Sequence, residues 1–162
     1  AQYFAPDGTL ILEKRYAEGD IVAYRALGKD GVMGSWVAAT PDMAIVAYYA
    51  SGIKAYEEFF KNGLLEGFSR EYYADGRLLS EYNYHQGEKN GPFLVNHPNG
   101  KVWQKGTYDA GSMQGIVEFF NPDGTRFRTE TRRDGTMHGK STLYKNSKPV
   151  KTLTYWSGTL ID

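Results

Sequence analysis

Residues 73–100 read YADGRLLSEYNYHQGEKNGPFLVNHPNG and contain one full copy of a pattern that recurs along the chain. The stretch opens on Tyr73-Ala-Asp-Gly76 and closes on His97-Pro-Asn-Gly100, two quartets of the same turn chemistry set 24 residues apart. In such a quartet Pro presets φ for a type I turn and Asp or Asn suits the next position. Gly then takes the positive φ that returns the chain antiparallel. Between the quartets, Arg77-Leu-Leu-Ser-Glu-Tyr-Asn-Tyr84 has the aromatic and aliphatic content of a strand and no breaker. Gly87-Glu-Lys-Asn-Gly91 reads as a connecting loop, and Pro92-Phe-Leu-Val95 as a second, apolar strand.

Outward from this copy, three glycine series keep one spacing. Gly52, Gly76, Gly100 and Gly124 are 24 apart, as are Gly63, Gly87, Gly111 and Gly135, and Gly67, Gly91, Gly115 and Gly139. Self-similarity at this period marks a stacked repeat array. The quartet reappears as Tyr49-Ala-Ser-Gly52 and Asn121-Pro-Asp-Gly124, in Phe4-Ala-Pro-Asp-Gly8, and with Ser for Gly in Tyr144-Lys-Asn-Ser147. About seven units result, in a single domain over residues 1–162, with a regular core at 48–142, an atypical unit at 24–47 and a capping unit at 143–162. The residue closing the second strand is Tyr16, Trp36, Phe60, Tyr84, Tyr108, Arg132 and Tyr155 in turn, an aromatic in six of seven units. These rings are expected to stack as packing along the array.

The pattern predicts an all-β, single-layer antiparallel meander of about fourteen short strands without substantial helix. At ~4.8 Å between strands it would extend ~60–70 Å. Gly-x-x-x-Gly leading into an aromatic-rich strand, a D/N-G turn and a strand closed by an aromatic resembles the MORN repeat, and more closely the bacterial MORN-variant proteins often labelled toxin–antitoxin antitoxin components. The resemblance covers residues 48 to 142 well and the flanks loosely. Asn96 departs from it where neighbouring units have Tyr72 and Phe120, and so does Arg132 at a closing position. It implies an elongated, twisted row of hairpins, a role in protein–protein contact or membrane association, and no catalytic residues.

Composition narrows the function classes. Lys plus Arg and Asp plus Glu number 19 each, so there is no global excess of positive charge for nucleic acid. Cysteine is absent, which removes disulfides and thiol chemistry. No apolar run approaches the ~20 residues of a membrane span. The opening Ala1-Gln2-Tyr3 fits a signal-peptidase cut beside small residues, and export to the periplasm or outer membrane is the expectation. His85, His97 and His138 fall at three different repeat addresses, so symmetry brings no metal ligands together. Glu57-Glu58 is a pair of carboxylates without a partner motif, and Asp7, Asp75 and Asp123 are the residues their turns need. Neither a phosphate loop nor a nucleophile elbow is present.

The expectation is therefore a protein without enzymatic activity, cofactor, metal or small-molecule substrate, and one that does not bind nucleic acid. It would serve as a protein-interaction scaffold, an accessory subunit of a larger cell-envelope assembly. Lipid or cell-surface glycan binding with peripheral membrane association is the alternative, and an antitoxin that binds a toxin is a further one. Candidate contact residues are Trp156, Leu160 and Ile161 in the last unit, with a folded-back cap as the competing role for Leu160 and Ile161. Trp36 and Val37 of the apolar atypical unit come next. Arg126, Arg128 and Arg132 come from the most basic segment.

Overall fold

The computed structural model describes residues 1–162. Fifteen strands and no helix make up the chain, and every strand pairing is antiparallel between neighbours in sequence. The expected all-β meander is present. The chain divides into two compact units, residues 1–78 with 85–87, and residues 79–84 with 88–162.

In the first unit β1 (Gln2–Phe4), β2 (Leu10–Ala17), β3 (Asp20–Ala26) and the two-residue β4 (Val37–Ala38) form a sheet of their own. The 24-residue period does not announce this separation. β5 (Met43–Tyr48), β6 (Lys54–Lys61) and β7 (Leu64–Tyr72) pair in succession. The two groups share a core of Ala5, Ile11, Leu12, Leu27, Ile45, Ala47 and Ala55. Residues 28–42, inside the atypical unit at 24–47, are largely irregular, and in that unit Ala39 and Met43 stand where other units have their two loop glycines.

The second unit takes residues 79–84 of β8 (Leu78–His85), then β9 (Glu88–Asn96), β10 (Val102–Asp109), β11 (Ser112–Phe120) and β12 (Arg126–Arg133). β13 (Thr136–Lys145), β14 (Lys148–Trp156) and the short β15 (Thr159–Leu160) complete it. The closing rings do not simply stack on one another here. Tyr108 meets Phe93 at 5.0 Å and Tyr82 at 6.2 Å, and Phe93 lies parallel to Tyr82 at 5.7 Å.

Two kinds of turn alternate along the chain. The quartets are type I turns as expected: the amide of Gly76 donates to the carbonyl of Tyr73 at 2.8 Å, and Gly100 and Gly124 repeat the bond at 2.8 Å. The side chains of Asp7, Asp75, Asn99 and Asp123 each accept the amide two residues on, at 2.7 to 3.0 Å. The other turns are two-residue type I′ hairpins such as Asn62-Gly63, with φ of 51° and 79°, and Asp134-Gly135, with 49° and 76°. Their first glycine donates back to the preceding unit, Gly87 to Leu65 at 2.9 Å and Gly111 to Lys89 at 2.9 Å. The last quartet departs from expectation. Around Asn146-Ser147, both at positive φ, Lys145 pairs with Lys148, so this too is a two-residue turn.

The second glycine of each loop pair does not lie in the loop. Gly115 (φ 73°) sits inside β11, where Ile116 and Val117 join it to set three residues opposite Gly106 alone. Gly67 and Gly139 form the same bulge opposite Phe59 and Thr131. A left-handed residue in a strand and one in a loop both demand Gly, so the sequence pattern reads the same for either.

Candidate functional site

On a strand, alternate residues share a face, and in paired strands directly opposed residues form a line across the sheet. One such line contains Ile45, Glu58 and Ser69 in the first unit, and another contains Phe93, Gly106, Val117, Glu130, Ser141 and Leu153 in the second. Ile45, Phe93 and Val117 are buried, and so are the carboxylates Glu58 and Glu130. Gly106 is required by the second line. A Cβ there would lie 2.8 Å from Phe93 Cε1 and 3.2 Å from Val117 Cγ2, so the missing side chain is the space the Phe93 ring fills.

Each buried carboxylate has a dedicated cation. Glu58 forms an ion pair with Lys14 of β2 and accepts the Tyr56 hydroxyl at 2.5 Å, while Lys14 lies 5.0 Å from the Tyr3 ring centre and 5.2 Å from that of Tyr56. Burial first, then the Glu58 charge, holds the Tyr56 hydroxyl far above the usual phenol range. Glu130 is held by Arg128 and by Arg132, whose Nε and Nη2 donate to it at 3.0 and 2.6 Å. Arg132 also donates to the Gly135 carbonyl at 2.8 Å. This explains why a closing aromatic is replaced by Arg in the unit that carries Glu130.

Glu57 points to the opposite face from Glu58, so the adjacent pair does not converge. It accepts Lys54 Nζ at 2.7 Å and the Tyr72 hydroxyl at 2.5 Å, with Arg70 at 3.7 Å. Burial pushes its carboxyl up, but these three donors outweigh it and leave it below the usual range. Glu118 is bound by Arg126 at 2.9 Å and Lys105 at 3.1 Å, with the same result. His85 reaches Glu66 at 3.1 Å, His97 Nε2 the Phe120 carbonyl at 2.8 Å, and His138 packs on Trp156 at 4.4 Å. The surface grooves are open and shallow. The one at Gly106 is lined by Pro92, Leu94, Ile116 and the Lys105–Glu118 pair, and another by Lys101, Lys105, Val102, Phe120 and Asp123.

The sequence candidates are thus distributed. Arg126, Arg128 and Arg132 are tied to Glu118 and Glu130, and Arg126 covers the Tyr144 ring at 4.5 Å. Trp36 lies beneath Arg15 at 3.7 Å with Arg25 at 5.0 Å, and Val37 beside it is exposed. The C-terminal backbone folds onto β14: Ile161 donates to the Thr154 carbonyl at 2.9 Å, and Thr154 to that of Asp162 at 2.7 Å. The side chains of Trp156, Leu160 and Ile161 remain 61, 53 and 60% exposed. Sequence reasoning named Glu57 and Glu58 as a pair but missed their burial, and it missed Glu130 altogether. The signal was present in the period, since Glu58 and Glu130 stand three repeats apart at one address.

No curated protein matches the chain. The family model of the MORN repeat variant matches residues 65–86 and 89–110. Each match spans one strand, its type I turn and the next strand, ending at the first residue of a type I′ turn. MORN repeats are generally associated with protein or membrane-lipid interaction, and proteins built from them are generally non-enzymatic. Hairpin geometry, glycine register and family match agree, and residues 65–86 and 89–110 of this chain are MORN-variant repeats.

Proposed function

We propose that the protein is a non-catalytic scaffold that holds another protein as part of a larger assembly. The observation that carries this reading is the division of labour among side chains. Four carboxylates within the strands, Glu57, Glu58, Glu118 and Glu130, are engaged by neighbouring cations, while large apolar side chains including Val37, Val150, Trp156 and Ile161 stand exposed. Apolar groups left in solvent cost nothing to retain once a partner covers them. A photo-crosslinking residue placed at Trp156 or Val37 in living cells tests this. A discrete protein adduct from those positions and none from the exposed polar Glu88 is expected. Lipid adducts alone would point to the second reading, peripheral membrane binding, which the exposed Trp156 beside a basic segment favours. Flotation with anionic vesicles measures that reading directly.

A further inference from the structure

Formal neutrality of the chain conceals a separation of charge. Residues 79–84 and 88–162 carry eleven Lys or Arg against eight Asp or Glu, and the first unit carries the reverse excess. The excess concentrates in residues 126–151, where eight Lys or Arg face two Asp or Glu. Three of the eight are committed to Glu118 and Glu130. The other five, Arg133, Lys140, Lys145, Lys148 and Lys151, are all exposed and make no ion pair.

The β13–β14 turn shows that this charge is not incidental. Lys145 and Lys148 are directly opposed across it, an arrangement that destabilises a hairpin. The other two-residue turns follow a non-glycine residue with Gly, as Asn62-Gly63 and Asp134-Gly135 do, whereas this one has Ser147 in the glycine place, at φ 61°. Such backbone is disfavoured for Ser, which lacks the tolerance of the left-handed region that Asn and Asp have. Two local costs thus coincide at the most cationic point of the molecule.

We propose that the β13–β14 tip, through Lys145, Lys148 and Lys151, docks an acidic and partly apolar segment of a partner protein. This rests on the scaffold reading and names the chemistry of its partner. Charge complementarity supplies the acid. The apolar component follows from Val150, 62% exposed between Lys148 and Lys151, and Leu143, 39% exposed and paired with Lys151. Single-stranded nucleic acid gains from open rings on which bases stack, and Tyr144 beside the tip is already covered by Arg126.

The test is calorimetric titration of the intact protein with a synthetic peptide of alternating glutamate and valine. Binding is expected to weaken as salt rises and to fall about tenfold or more in Lys148→Glu/Lys151→Glu. The single variant Lys148→Glu replaces a like-charged pair by an attractive one, so its melting temperature should hold or rise by about 1–2 °C while affinity drops. Equal affinity in the double variant would overturn the proposal. So would tighter binding of oligothymidylate or phosphatidylserine vesicles with the same dependence on the lysines, or a salt-sensitive self-association that the substitutions abolish. If the peptide does not bind while crosslinking at Trp156 still yields a protein adduct, this proposal fails and the scaffold reading survives.

Discussion

At Gly106 the line of opposed residues tolerates no side chain. Gly106→Ala sets a methyl against the ring of Phe93, which is 3% exposed and packed between Tyr82 and Tyr108, so it should destabilise by about 1–3 kcal/mol in urea titration. Adding Phe93→Leu should recover part of the loss specific to Gly106→Ala, because the clash is with the ring. Ser147 offers the opposite case. It occupies φ 61°, a conformation that costs a residue with a Cβ, and Ser147→Gly should stabilise by about 0.5–1 kcal/mol in the same measurement. Both effects concern single backbone positions and should leave the remaining turns unaltered.

At the level of strands and turns, acid titration reports on the caps and ion pairs. Hydrogen bonds to Thr9, Arg77 and Thr125 hold Asp7, Asp75 and Asp123 below the usual carboxylate range, and Glu57 and Glu118 are lowered as well. A lowered folded value means the unfolded chain takes up protons first. This contribution should therefore be complete above about pH 5 and decline as pH falls below about 4. Tyr3, Tyr16, Tyr56 and Tyr72 lie above the usual value, principally because burial disfavours the phenolate. Their contribution is complete below pH 10 and is lost as pH rises further. Melting temperature against pH should show a plateau between these limits, and steady loss between pH 5 and 9 would contradict the assignment.

The turns and strands were legible in the sequence because each turn needs Gly at a fixed φ and the period repeats that need in register. The bulge glycines were misplaced into loops, since Gly67 and Gly115 satisfy the same local requirement there as in a strand. The ion pairs were not legible for a different reason. Lys14 and Glu58 come from separate sheets and meet only through tertiary packing, whereas Arg132 and Glu130 share a strand but looked like a basic exposed face. The Lys145–Lys148 turn was read as a four-residue quartet, because Tyr144-Lys-Asn-Ser147 copies its composition while lacking the Gly and Asp that fix its geometry.

For the molecule as a whole, charge has two separate uses. Within the strands it is structural: Lys14→Met would strand Glu58 in the core and should cost about 3–5 kcal/mol, most of it recovered in Lys14→Met/Glu58→Met. At the β13–β14 tip the proposed use of charge is to hold a partner, and it is expected to add nothing to stability. The most direct test of this division is the unfolding free energy of Arg132→Tyr and Lys148→Glu, measured side by side in urea. Arg132→Tyr restores the aromatic found at that address in other units but leaves Glu130 fully buried with one guanidinium, and it should lose at least about 2 kcal/mol. Lys148→Glu should lose nothing. A neutral Arg132→Tyr, or a Lys148→Glu as damaging as it, would contradict the account.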